Sequence, residues 1–198
     1  MNEKMEIIYV EAQKSDGLIT TKEIENLGIG RYKIKEFLDQ GLLVRESKGI
    51  YSVVKEMTDE YAALQKRSQM MVYSHGTALF FHGLSDRVPG IIDVTLPQGY
   101  NASRLKRAYP NLRIHYVQPE VLETGALELK TPQGATVKAY DRERCICDLI
   151  KDQKKTDKQI FTHAIKMYFS NPYNPRALIK MAGIIGVKHE VRTYMEVL

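Results

Sequence analysis

The chain has no tryptophan and only two cysteines in 198 residues. So few cysteines exclude a disulfide-built scaffold. Cys145 and Cys147 sit i, i+2 on a predicted helix and point to different sides, so they read as ordinary buried thiols. No apolar run approaches the roughly 20 residues that span a bilayer. The opening Met1-Asn2-Glu3-Lys4-Met5-Glu6 is too charged for a secretory signal. A soluble, cytoplasmic protein is therefore expected, in which the Asn101-Ala102-Ser103 sequon has no bearing. GxxxxGK[ST], GxGxxG, HExxH and GxSxG patterns are all missing. His75 and His82 lie two turns apart on one helix face, too far to grip one ion unaided. No catalytic residue, no metal and no cofactor is expected.

Basic charge is present, but unevenly. The formal net charge is +5. Residues 1–57 hold nine Lys and Arg against ten Asp and Glu, a net of −1. Residues 58–198 hold twenty against fourteen, a net of +6. Arg104, Lys106 and Arg107, with Arg113, form one basic cluster, and the lysines between 151 and 158 form another. A basic field draws a chain toward polyanions and speeds encounter with nucleic acid. Membrane binding is disfavoured, because no basic amphipathic helix carries aromatic anchors.

The first 57 residues hold an ordered device. Met5, Ile8, Tyr9 and Ala12 mark an amphipathic helix over residues 3–14, stopped by Asp16-Gly17. Thr20 is an N-cap, and Glu23 stands three residues on, where it closes a capping box. Ile24 and Leu27 give the next helix its apolar face, and Gly28 ends it. A second helix runs from Arg31 to Gln40, with Ile34, Phe37 and Leu38 at i, i+3, i+4 spacing. Leu42-Leu43-Val44 and Ile50-Tyr51-Ser52-Val53 then pair as a hairpin, with Glu46-Ser47-Lys48-Gly49 as its polar tip. Helix, turn, helix and wing is the order of a winged helix-turn-helix, whose second helix enters the major groove. Thr20, Thr21, Lys22, Arg31, Tyr32, Lys33, Lys35, Arg45, Ser47 and Lys48 are the candidate DNA-contacting residues. The unfavourable local net charge leaves a solvated mixed-charge helix as the competing reading.

Beyond a polar bridge at Lys55-Glu56-Met57, Thr58-Asp59-Glu60 starts a helix with acidic residues in its first turn. The domain boundary is placed at 56/57. A helix is predicted over residues 75–83, strands over 91–96, 112–117, 127–130 and 136–139, and helices after Asp141 and over 158–169, 175–183 and 188–197. Asp86 with Arg87 reads as a turn ion pair. Asp93 has no visible carboxylate partner. Asp141-Arg142-Glu143-Arg144 reads as a helix start with exposed ion pairs. The fold class is mixed α/β (α+β): a winged helix-turn-helix, then a larger α/β domain.

Three stretches resemble a known family. Tyr73-Ser74-His75-Gly76-Thr77-Ala78-Leu79, then Gly83-Leu84-Ser85-Asp86, then Pro89 with Ile92-Asp93-Val94-Thr95-Leu96-Pro97, is similar to the signature of AbiEi antitoxins of the AbiE abortive-infection (phage-defence) systems. The segment from Ala139-Tyr140-Asp141-Arg142-Glu143-Arg144 through Cys145-Ile146-Cys147-Asp148-Leu149-Ile150 resembles that family's second recurring segment. The resemblance implies a bacterial type IV antitoxin that represses its own operon by binding inverted repeats in the promoter. It also implies an antitoxin domain over residues 57–198 that counteracts a nucleotidyltransferase-like toxin without a stable complex. His75, Arg87, Arg104, Lys106, Arg107 and Arg113 are candidates for an antitoxin or phosphate-contact face. The expected partners are duplex DNA and, functionally, the toxin, with dimerisation on DNA and no membrane. The alternatives are a ligand- or partner-responsive winged-helix regulator without antitoxin activity, and a nucleic-acid-modifying enzyme.

Overall fold

The computed structural model describes residues 3–53 and 59–198. The boundary expected at 56/57, the 55–57 bridge and Thr58 lie outside the described residues. Two compact units are present. The first comprises residues 1–69 with 130–137, and the second comprises 70–129 with 138–198.

The first unit begins with α1 (Glu3–Gln13), which buries Met5, Ile8 and Ala12. Tyr9, expected on the same stripe, is instead exposed, as are Ile7 and Val10. One buried position per turn is enough to anchor this helix. Asp16 and Gly17 both take positive φ (51° and 77°) and reverse the chain into β1 (Leu18–Thr20), a strand too short to show alternation in sequence. The helix α2 (Thr21–Asn26) starts with the expected capping box: Glu23 N–H donates to Thr20 Oγ1 at 3.2 Å, and Thr20 N–H donates to the Glu23 carboxylate at 2.7 Å. Both hydrogen bonds satisfy amides that a helix start leaves orphaned. Gly28 takes φ +74°, which the tight turn requires. The helix α3 (Arg31–Asp39) follows, burying Ile34 and Phe37.

The wing has a tighter turn than expected, and its first strand lies further along the chain: Leu42 and Leu43, expected in that strand, precede it. Strand β2 (Val44–Ser47) takes in Arg45, Glu46 and Ser47, leaving Lys48 and Gly49 as the turn before β3 (Ile50–Ser52). A register shift between Arg45 and Ser47 bends β2. The strands order as β1-β3-β2, all antiparallel. Helices and sheet close on Ile8, Ile24, Ile34, Phe37, Leu43 and Tyr51. The helix α4 (Glu60–Arg67), capped by Asp59, belongs to this unit. There Ala62 and Ala63 join Leu18, Ile50 and Ala135 in a second small cluster.

The second unit is built on a five-stranded sheet, ordered β6-β5-β4-β8-β7. Its strands are β4 (Val72–Tyr73), β5 (Ile92–Pro97), β6 (Leu112–Val117), β7 (Ala126–Lys130) and β8 (Thr136–Tyr140). The pairs β5–β6 and β4–β8 are parallel, and β4–β5 is antiparallel. The helix α5 (His75–Phe81) leaves β4 directly, and α6 (Ser103–Ala108) and α7 (Pro119–Leu122) flank β6 in sequence. Four helices complete the unit: α8 (Arg142–Lys151), α9 (Lys158–Phe169), α10 (Pro175–Ile185) and α11 (Lys188–Val197). Their starts are written in side chains: Asp141, Asp157 and Asn174 each accept from first-turn amides. Pro175 stands at the first turn of α10, and Gly186 ends that helix in the left-handed region. Leu79, Tyr140, Ile146, Leu149, Tyr168 and Leu178 are central to the core. Cys145 and Cys147 are free and buried in it.

Arg144 departs from the sequence reading. It is 1% exposed rather than part of a surface ion-pair network. Its Nε donates to Asp148 at 2.9 Å, and its Nη1 donates to the Val121 and Thr124 carbonyls at 3.1 and 2.9 Å. Its guanidinium lies over the Tyr140 ring, 4.2 Å from the centroid. Four partners make the burial of that charge affordable.

Candidate functional site

The first unit presents a helix face and a wing. On α3, Tyr32 is 68% exposed and Lys35 also faces solvent. Arg31, equally exposed, is held by the Glu25 carboxylate of α2. Lys33 is less available: its ammonium contacts Glu36 at 2.6 Å and its side chain is only 21% exposed. Lys22, Arg45 and Lys48 are exposed. Ser47 Oγ is buried and meets no hydrogen-bond partner among the described residues.

The two threonines serve the fold. Thr20 is occupied by the capping box, and Thr21 N–H donates to the Gly49 carbonyl at 3.0 Å. That contact fixes the wing turn to the start of α2. Lys22 on α2, Arg31, Tyr32 and Lys35 on α3, and Arg45 and Lys48 on the wing are the exposed members of the candidate set.

The second unit carries a pocket of about 500 Å³, with apolar walls from residues such as Leu79, Ile91 and Leu149 and a set of polar side chains among them. Among its lining residues is Asp93, which is 1% exposed on β5. Strand register sets Arg113 of β6 opposite Asp93, and His115 lies two residues on, on the same face. Arg113 grips the Asp93 carboxylate through Nε at 2.5 Å and Nη2 at 2.9 Å, and His115 Nε2–H donates to it at 2.8 Å. Burial pushes the Asp93 carboxyl up, but the His115 and Arg113 hydrogen bonds outweigh it and hold the group below its ordinary value. The partners of Asp93 are thus a guanidinium and an imidazole, which the sequence reading did not foresee.

His75 stacks on His115, the ring centroids 3.5 Å apart and the planes 9° from parallel. Its Nδ1 lies 3.1 Å from Ser74 Oγ, and its Nε2 lies 3.3 Å from the Asp152 carboxylate. The hydrogen bond from His75 and the nearby Lys155 hold the Asp152 carboxyl well below the ordinary range, against some burial. His75 also has φ +44°, a left-handed conformation that costs a non-glycine residue about 1–3 kcal/mol. At Gly76 a Cβ would stand 3.0 Å from Asp93 Oδ2, so a larger residue there would press the carboxylate away by a few tenths of an ångström. Among the described residues, His75, His115 and Asp152 form a three-residue group whose donor atoms all lie within 4.8 Å of one another.

The six residues expected on an antitoxin or phosphate face are thus divided. His75 and Arg113 line the pocket. Arg87 binds the Gln159 side chain. Arg104, Lys106 and Arg107 are exposed on the short helix α6. Sequence reasoning missed His115 and Asp152, and missed Ser74 as a partner of His75. The one signal available was alternation: Arg113 and His115 fall on the same strand face as the polar positions Asp93 and Thr95 of the neighbouring strand.

Helix, turn, helix and paired wing define a winged helix-turn-helix in the first unit. Residues 5–54 match the sequence model of the AbiEi antitoxin transcriptional regulators. The N-terminal domain is of that AbiEi helix-turn-helix type, followed by an α/β region. The match does not extend to the motifs at 73–97 and 139–150. No curated protein matches the chain. Among solved structures, the fold is similar to the crystal structure of the RV2827C protein from Mycobacterium tuberculosis. That likeness has a TM-score of 0.61 at 15% identity, over 89% of this chain and 70% of that one. At such identity the likeness concerns the fold alone. Among the described residues, no helix is long and apolar enough to cross a membrane.

Proposed function

We propose that the chain is a cytoplasmic type IV antitoxin that represses its own operon and counteracts a nucleotidyltransferase-like toxin without forming a stable complex with it. The observation that carries this reading is the AbiEi-type winged helix over residues 5–54. In this reading α3 enters the major groove of a promoter half-site, with Arg31, Tyr32 and Lys35 toward the bases. Lys22, Arg45 and Lys48 meet phosphates, and Lys33 contributes through its field. An inverted repeat takes two copies, which come together on the DNA. Residues beyond the winged helix carry the antitoxin activity, by binding rather than by catalysis, with Arg104, Lys106 and Arg107 as a phosphate-contact face.

The test uses the full-length chain, because residues 59–69 and 130–137 belong to the first unit and truncation at 57 would break it. A reporter on the native promoter and growth under toxin expression are measured together. Lys35→Ala with Lys48→Ala is expected to relieve repression and leave growth rescue intact. Loss of neither activity contradicts the groove assignment, and failure of the unmodified chain to rescue growth contradicts the antitoxin role.

The pocket around Asp93 favours a second reading, in which a small ligand bound in the second unit controls a winged-helix repressor. A ligand screen by thermal shift, followed by operator binding with each hit, separates the two.

A further inference from the structure

We propose that His75, His115 and Asp152 hold one divalent transition-metal ion at the mouth of the second unit's pocket. The inference is independent of the antitoxin reading. Two imidazoles and one carboxylate are a donor set suited to zinc and its neighbours rather than to calcium or magnesium.

Each donor is held by an outer partner in the manner of metal-binding histidines. The buried Asp93 carboxylate accepts from His115 Nε2–H, which leaves the His115 Nδ1 lone pair unused. Arg113 neutralises Asp93 and keeps that carboxylate committed. On the other ring, Ser74 Oγ contacts Nδ1, so Nε2 is the atom turned toward Asp152. Once Nε2 binds an ion, Nδ1–H donates to Ser74.

The spacing that carries a long hydrogen bond here also suits an ion between the two groups. His75 Nε2 and Asp152 Oδ2 are 3.3 Å apart, long for a charge-assisted hydrogen bond. Two ligands each about 2.1 Å from one zinc stand roughly 3.3–3.5 Å apart at near-tetrahedral angles. Lys155 touches the other carboxylate oxygen, Oδ1, and its side chain is 83% exposed, so it need not block the ion. The parallel rings impose one movement: stacked imidazoles cannot both aim lone pairs at one point, so His115 must tilt out of the stack on binding. The remaining coordination positions face the pocket, open to water or to an anionic ligand.

The experiment is calorimetric titration of the intact, metal-stripped chain with zinc chloride. One ion per chain is expected. Asp152→Asn and His115→Gln should each weaken binding at least tenfold, and Asp93→Asn about 10–100-fold through loss of the His115 anchor. His189→Ala, an exposed histidine outside the site, should change nothing. Circular dichroism establishes that each variant is folded. The partly exposed Asp152 gives a variant that replaces an anionic ligand by a weak neutral one without opening the core. Nuclear magnetic resonance of the histidine rings should show the His75 and His115 signals, and no other histidine's, moving with zinc. Zinc binding that is absent, or equally strong in Asp152→Asn and His115→Gln, overturns the proposal.

Discussion

Asp93 and Arg113 face each other in register on adjacent parallel strands, and the guanidinium holds the carboxylate through two hydrogen bonds. The carboxylate is buried and the guanidinium half-exposed. The two ends of the pair are therefore unequal. Arg113→Ala leaves a buried charge with His115 as its remaining side-chain partner, and should destabilise the second unit by about 2–3 kcal/mol in urea unfolding. Arg104→Ala, on a solvated helix face, should fall within about 0.5 kcal/mol of the unmodified chain.

Arg144 supports a larger expectation. Replacing it with methionine keeps much of the volume but abandons Asp148 and the Val121 and Thr124 carbonyls. A loss of about 3–5 kcal/mol is expected from the uncompensated buried groups. A urea midpoint equal to that of the unmodified chain would show that the guanidinium network contributes little.

His82 gives a pH dependence with a definite sign. Its Nε2–H donates to the Tyr140 carbonyl at 2.7 Å, and burial lowers its pKa in the folded chain. The unfolded state thus takes up the proton first. The associated stability is complete above the unfolded value near 6.5 and drains away as the pH falls toward the folded one. His82→Gln should flatten the stability profile between pH 7 and pH 5. An unchanged slope would assign the loss to other groups.

Glu25 occupies Arg31, and on the proposed DNA face its charge would also repel phosphates. Glu25→Gln should tighten DNA binding roughly two- to tenfold at low salt and steepen the salt dependence. Lys35→Ala should cost about 1–3 kcal/mol if the side chain reaches a base edge. Lys33→Ala should cost less, since Glu36 already holds that ammonium. Equal losses at Lys33 and Lys35 would mean that the Lys33–Glu36 pair dissolves on DNA.

The winged helix was legible because its signals are local. Thr20 and Glu23 announce a capping box, Gly28 announces the turn, and Ile34 with Phe37 sets the buried face. The helices from Asp141 onward were legible for the same reason, through caps and spacing. β1 and β4 escaped, since three or two residues cannot show a period. The pocket escaped for a different reason. Asp93, Arg113, His115 and Asp152 meet only because β5 and β6 pair in parallel and α8 ends beside them, and no local pattern encodes that pairing. Arg144 misled because a charged residue after an N-cap is usually solvated, and its carbonyl partners come from α7 and the turn after it, 20 to 23 residues away in sequence.

The most direct measurement is fluorescence anisotropy of the full chain on its own promoter duplex, against a scrambled duplex, at several salt concentrations. The account predicts tight binding of two copies to an inverted repeat, and loss of the preference for the promoter when Arg31, Tyr32 and Lys35 are replaced together by alanine. Equal affinity for both duplexes, or a triple variant that still prefers the promoter, would contradict it.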